Sequence, residues 1–213
     1  MNAHIYIEGG TRGPNGEGSS SKFVAIECQR AFHTLLDKMG FKARKPRLVS
    51  CGGRGRVYDL FCFHHRGQKA SYVAMWIDDE EPLADIEQAW KHLSQVKTNP
   101  KWSRPDGAND DQVLFMTTSM ETWIVTDRET LRRHYGQELN ENPLPVPSNL
   151  ENRSRKEVFQ ALVTATKTCK NRSEKGPHSS EVLEKLNVAV HRKHLPSFVR
   201  VERILNSKLQ LTR

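Results

Sequence analysis

Four carboxylates in a row, Asp78, Asp79, Glu80 and Glu81, close an apolar run at 72–77 and are followed at once by Pro82. Neighbouring negative charges raise the cost of ionising one another, so the cluster needs a positive counterpart: a helix N-terminus, a basic partner or a bound cation. Side chains alternate along an extended segment, which puts Asp78 and Glu80 on one side and Asp79 and Glu81 on the other. A further carboxylate, Glu8, ends the first apolar run, IYIEG. If both runs are strands of one parallel sheet, Glu8, Asp78 and Glu80 converge beyond its carboxyl edge, where such sheets bind ligands. Three carboxylates around one point suit Mg2+ or Mn2+, hard cations that take oxygen ligands and keep waters for a substrate phosphate to displace. Acidic residues ahead of a proline also favour a helix start through its dipole. That second reading covers 78–81 but leaves Glu8 without a role, so the metal reading is preferred.

The elements that must position these groups are read from periodicity. HIYIEG at 4–9 is a strand, and SKFVAIECQRAFHTLLDKMG at 21–40 an amphipathic helix, with Cys28, Ala31, Phe32, Leu35, Leu36 and Met39 on one face and Gly40 as its stop. PRLVSCGG at 46–53 reads as a second strand, RVYDLFCFHH stays unassigned between helix and strand, and YVAMWID at 72–78 is a strand covered on both faces. PLADIEQAWKHLSQV repeats Leu83, Ile86, Trp90 and Leu93 at helical spacing, with Pro82 in the first turn. QVLFMTT supplies a fourth strand, and SMETWIVTDRETLRRHYG a helix that runs to Gly136. Strands alternating with helices imply an α/β fold, a Rossmann-like and mostly parallel sheet of about four strands flanked by helices. Three prolines without periodicity at 137–150 mark a connector between a core at 1–136 and a helical region at 151–213. The latter carries two helical patterns, RKEVFQALVTATKTCK and SSEVLEKLNVAV, separated by the polar NRSEKGPH.

Composition narrows the function classes. A chain of 213 residues, 36% of them hydrophobic, can bury one substantial α/β core with an appended element. No apolar run approaches the roughly 20 residues that cross a bilayer, and MNAHIYIEGG has no leader-like pattern, so a cytoplasmic protein without membrane contact is expected. The four cysteines, Cys28, Cys51, Cys62 and Cys169, form no CxxC pair. Reduced, packed thiols are therefore expected rather than a zinc ribbon or a disulfide framework. His64 and His65 read as structural, and the four tryptophans as core. Residues 151–213 carry 14 Lys or Arg against 6 Asp or Glu, while 1–150 carry 19 of each, so the net charge of +8 lies wholly in the last third. Such a region beside a neutral core suits a nucleic acid held by phosphate contacts, with Lys167, Lys170, Arg172 and His178 as candidates. A dock for an acidic partner fits the same charge. Arg54 and Arg56, after a glycine pair at a strand end, are candidate phosphate contacts, or solvated surface. Lys175 in KGPHS is a candidate for neutralising charge on a metal-bound phosphate; loop capping is the plain alternative. The glycine-rich GTRGPNGEGSSS could cradle phosphate with backbone N–H groups. It lacks the G-K-[ST] ending of nucleotide-binding loops, so a surface loop that seats nucleic acid is preferred.

IYIEGG together with WIDDEEP resembles the Toprim arrangement, a glutamate and glycine after the first strand meeting an acidic D-x-D or D-x-E motif after the third. More narrowly, SCGGRGRVYDLF, SMETWIVTDRETLRRHYG, LPVPSNLE and KGPHSSEVL resemble a bacterial family of Toprim-related proteins of undefined function, often encoded beside an AAA or ABC-type ATPase in antiphage defence loci. The resemblance covers most of the chain. It implies a nuclease dependent on Mg2+ or Mn2+ and gated by an ATPase partner, with Glu8, Asp78 and Glu80 as metal ligands and Glu121 as an additional acid. Two features depart from the pattern: the insertion after Glu8 is long, and D-x-E stands in place of the commoner D-x-D.

Overall fold

The computed structural model describes residues 2–9, 19–67, 70–96, 102–170, 172 and 177–210. Four strands, β1 (Ala3–Glu8), β2 (Arg47–Gly52), β3 (Tyr72–Asp78) and β4 (Val113–Met116), form one sheet in the order β2-β1-β3-β4. Every pairing is parallel, so the fold is α/β and Rossmann-like. All seven residues of β3 are buried, as a strand covered on both faces must be. Alternation sorts the sheet side chains into two cores. Ile5, Ile7, Leu48, Ala74, Trp76, Leu114 and Met116 face one side; Tyr6, Cys51, Val73, Met75, Ile77, Val113 and Phe115 face the other.

Nine α-helices are present among the described residues: α1 (Ser19–Lys38), α2 (Arg54–Gly67), α3 (Ala89–Gln95), α4 (Met120–Thr126), α5 (Arg128–Tyr135), α6 (Arg155–Ala165), α7 (Pro177–Leu183), α8 (Val188–His194) and α9 (Pro196–Lys208). The unassigned segment at 56–65 is helical and lies within α2, which covers the second face together with α3. Helices α1, α4, α5, α6, α7 and α9 bury residues in the first core, where Leu150, Val158, Leu162, Phe198, Val201 and Ile204 join the sheet residues. The basic helical region thus completes the same core as β1 and β3.

Three helix expectations need correction. Helix α3 begins at Ala89 and not at Pro82, because the Asp85 carboxylate accepts from Glu87 N–H at 2.9 Å and from the Gln88 amide at 2.6 Å, which holds 85–88 as a turn. The 119–136 pattern is two helices. Asp127 leaves helical geometry (φ −96°, ψ 81°) and caps α5 by accepting from Thr130 N–H at 3.1 Å. Likewise SSEVLEKLNVAV breaks after Leu183, and a new helix starts beyond Asn187, whose side chain caps α8 by accepting from Ala189 N–H. Helix α9 was not anticipated in the sequence. The cysteines are free, with Cys28, Cys51 and Cys169 buried, and Trp76 and Trp123 are fully enclosed. Among the described residues no helix is long and apolar enough to cross a membrane.

Candidate active site

The strand order fixes where a ligand crevice forms. From β1 the chain moves to β2 on one side, then crosses β1 to β3 on the other, so the connections diverge between β1 and β3. In such sheets the opening lies beyond the carboxyl ends of those two strands. Glu8 is the last residue of β1 and Asp78 the last of β3, and the Asp78 N–H donates to Glu8 Oε2 at 3.2 Å. Past Glu8 the chain is pinned to β2: Gly9 and Gly52 exchange backbone hydrogen bonds of 2.8 and 2.9 Å, and Ser50 Oγ donates to Gly9 O at 2.7 Å. Gly9 needs to be glycine, since its φ is +121° and a Cβ there would come within 3.2 Å of Cys28 Sγ.

The structure gathers Glu8, Asp78, Glu80, Glu121 and Arg54 here. Asp78 Oδ1 accepts from Met120 N–H at 2.9 Å, and Glu121 follows, buried in the first turn of α4. Glu80 adopts a left-handed backbone (φ +72°), uncommon for a residue with a side chain. Its N–H donates to Thr118 O at 2.8 Å. Its carboxylate meets Arg155 Nη1 at 2.5 Å and Arg54 Nη1 at 3.3 Å. Arg155 also reaches Asp78 Oδ2 at 3.4 Å. Arg54, the first residue of α2, stands 5.1 Å from the Trp102 ring centre in a cation–π contact. As alternation requires, Asp79 turns to the opposite face, where it is fully buried against His92 of α3.

Electrostatics here are those of a cluster short of positive charge. Burial pushes the Glu8 carboxyl up to about 7, with Arg54 and Arg155 opposing and Glu80 adding to the rise. Asp78 lies well above the usual carboxylate range, chiefly from burial and then from Glu8 and Glu121, against the pull of Arg155. For Arg155 itself, burial works against the charged form, but Asp78, Glu80, Glu121 and Glu8 outweigh it and raise the guanidinium pKa. Glu8, Asp78, Glu80 and Glu121 face the two guanidinium groups of Arg54 and Arg155. A hard divalent cation would supply the missing charge to an all-oxygen donor set, so the residues fit one in chemistry and in charge. In this conformation Arg155 lies across Asp78 and Glu80, and no three His, Cys, Asp or Glu side chains among the described residues form a ready-made cage.

Arg155 is the principal residue that sequence reasoning missed. Its signal was the pattern S-x-x-E at 154–157, which marks a helix start and puts Arg155 at the helix tip. Ser154 caps α6 by accepting from Glu157 N–H at 3.2 Å. Ser154→Ala is expected to cost about 1 kcal/mol and to loosen the Arg155 contacts, read as a lower midpoint in urea unfolding; an unchanged midpoint would deny the cap a role.

Other candidates lie elsewhere. Arg56 is exposed on α2. Lys167, Lys170 and Arg172 are exposed beyond the carboxyl end of α6, an 11-residue helix that carries them about 16 Å from Arg155. Lys175 and the His178 side chain, like the glycine-rich segment at 10–18, lie outside the described residues. Part of the basic excess is used internally: Arg203 pairs with Glu87 at 2.6 Å and Lys208 with Asp111 at 3.1 Å.

The family model described as a domain of unknown function (DUF4276) matches residues 16–206, and the chain belongs to that family. No curated protein and no solved structure matches it.

Proposed function

We propose that this family member is a Mg2+- or Mn2+-dependent nuclease of Toprim type, the effector of an ATPase-gated antiphage system. The observation that carries the reading is the meeting of half-buried Glu8 and buried Asp78, from the two strands that flank the topological switch point. Glu8, Asp78 and Glu80 are the residues that would hold the cation, which supplies Lewis-acid polarisation of a phosphate and a more acidic water. Arg155 clamps Asp78 and Glu80 when they lack other positive charge. Once they are neutralised, its fork is available to a phosphate oxygen, the bidentate geometry for which arginine is suited. Arg54, held at the site by Glu80 and Trp102, contributes fixed positive charge where the phosphate gains negative charge.

The exposed cations Lys167, Lys170 and Arg172 suit contact with the strand away from the cut. Replacing all three by alanine is expected to weaken binding to DNA of any sequence and to flatten its dependence on salt, by about 0.9 in log–log slope per lost phosphate contact. An unchanged slope over a salt series would remove them from the interface. The resemblance to proteins encoded beside AAA or ABC-type ATPases supports a partner of that kind.

A second reading, a non-catalytic partner or sensor subunit of an ATPase complex, is favoured by one observation: Arg155 and Arg54 tie Asp78 and Glu80 into a lock that needs no cation. A cleavage assay separates the two readings. Plasmid, single-stranded DNA and total RNA are incubated with Mg2+ or Mn2+, with and without the product of any ATPase gene found beside this one. Metal-dependent cleavage of at least one substrate is the expected result. Intact substrates under every condition, with the ATPase present, would favour the sensor.

A further inference from the structure

A cleft of about 290 Å3 opens beside the acidic cluster, and the proposed chemistry leaves it unused. Its lining mixes apolar side chains, Leu83, Ala84 and Ile86 of the loop after β3 and Pro196, with the amides of Asn149 and Asn152 and the imidazole of His194. Thr117 also lines it, one residue beyond the Met116 that pairs with Asp78, which sets the cleft near the strand ends where Asp78 lies. Its two amides belong to the same short segment that delivers Arg155: Asn149 and Asn152 precede the Ser154 cap, and Arg155 follows it.

We propose that this cleft receives the nucleobase of the nucleotide whose phosphate lies at Arg155, a reading that rests on the nuclease assignment and specifies its substrate contact. No lysine or arginine lines the cleft, so it is not built for a phosphate. Its one carboxylate, Glu151, is turned away to Ser197, accepting from the backbone N–H at 3.1 Å and from the hydroxyl. Apolar side chains together with amides and an imidazole suit a heterocycle, which takes apolar contact on its faces and amide donors and acceptors at its edge. A ribose would leave the apolar side chains without a complement. The volume is sufficient for one nucleobase. Asn149 holds a left-handed backbone (φ +61°), a conformation that asparagine and glycine both adopt, so glycine can replace it without disturbing the turn.

The test compares ligands that differ only in the base. The four nucleoside 5′-monophosphates and ribose 5-phosphate are titrated into the full chain by calorimetry, for the wild type and for Leu83→Asp, Asn149→Gly and Arg155→Ala. At least one monophosphate is expected to bind tenfold or more tightly than ribose 5-phosphate to the wild type. Leu83→Asp is expected to bring that nucleotide down to the level of ribose 5-phosphate. Asn149→Gly keeps the left-handed turn and removes the amide; it is expected to reduce the preference among bases at least threefold, and it decides the matter if Leu83→Asp fails to fold. Arg155→Ala is expected to weaken nucleotide and sugar phosphate by the same factor. The proposal is overturned if no nucleotide binds more tightly than ribose 5-phosphate, including the case in which none binds, or if the preference survives both cleft variants. Polymers left uncut while the base preference stands would count against hydrolysis alone; cutting without base preference would count against the cleft alone.

Discussion

Asp78→Asn is expected to lower phosphodiester hydrolysis by about a thousandfold, the scale on which removing one preorganised charge acts, while making the metal-free protein more stable above neutral pH. Asparagine keeps the shape and can still accept from Met120 N–H, the 2.9 Å bond that seats α4. What it removes is one buried negative charge facing Glu8 and Glu121. The stability effect has a defined sign. The Glu8 carboxyl titrates at about 7 in the folded protein against an ordinary 4.5, so between those values the folded state holds more protons than the unfolded one. Stability must therefore fall as pH rises through that window, and the Asp78 carboxyl, raised well above its ordinary range, adds to the fall. The Glu8 shift alone corresponds to a loss of about 3 kcal/mol. Asparagine at 78 removes the share that Asp78 contributes, so the fall is shallower. Urea unfolding in EDTA at pH 5 and pH 8 checks this: the wild type should lose stability across the interval and Asp78→Asn distinctly less. Equal losses, or a variant less stable than wild type at pH 8, would make Asp78 a structural residue and return weight to helix capping.

The largest loss of stability is expected from Arg200→Met. Arg200 of α9 is 3% exposed, and its guanidinium donates to Val113 O at 2.7 Å and Asp110 O at 2.8 Å, with Glu87 at 3.4 Å. Both carbonyls belong to the turn and strand that enter β4, so a single side chain fastens the last helix to the edge of the sheet. Methionine preserves bulk but leaves these two acceptors short of a partner inside the protein, at about 1 to 3 kcal/mol each. A net destabilisation of about 3 kcal/mol is expected, seen as a lower urea midpoint with an unchanged slope. A loss under 1 kcal/mol would mean that water replaces the guanidinium and that α9 is held by its apolar face alone. Because Glu87 also binds Arg203 at 2.6 Å, the loop bearing Leu83 and Ile86 should loosen with α9.

What the sequence disclosed and what it hid differ by range of interaction. The run at 72–78 and the helix ending at Gly40 were legible because burial imposes a period on consecutive residues. The meeting of Glu8 and Asp78 was legible because each stands at the end of such a run, and a parallel sheet brings run ends together. The breaks at Asp127 and Asn187 were hidden because one side chain taking a local backbone N–H outweighs a continuing apolar period. The loop at 82–88 was misread for the same reason, with Asp85 forming the turn and Pro82 only allowing a helix. Arg155 and Arg200 could not be placed by spacing, since each bonds residues distant in sequence from another layer of the fold. The charge excess in 151–213 was counted correctly, yet Arg155, Arg203 and Lys208 use part of it to pair with Glu80, Glu87 and Asp111 of the first 150 residues.

The central claim is that Glu8 and Asp78 form the heart of a hard-cation site, and Mn2+ uptake tests it without need of a substrate. Free aqueous Mn2+ gives an electron paramagnetic resonance signal that is lost on binding, so titration at pH 7.5 counts ions taken up by wild type, Glu8→Gln and Asp78→Asn. The account predicts saturable uptake by the wild type, at least a tenfold weaker uptake by each variant, and a rise in wild-type melting temperature with Mn2+ that both variants lack. Uptake that is equal in all three proteins, or absent from the wild type at millimolar Mn2+, would contradict it.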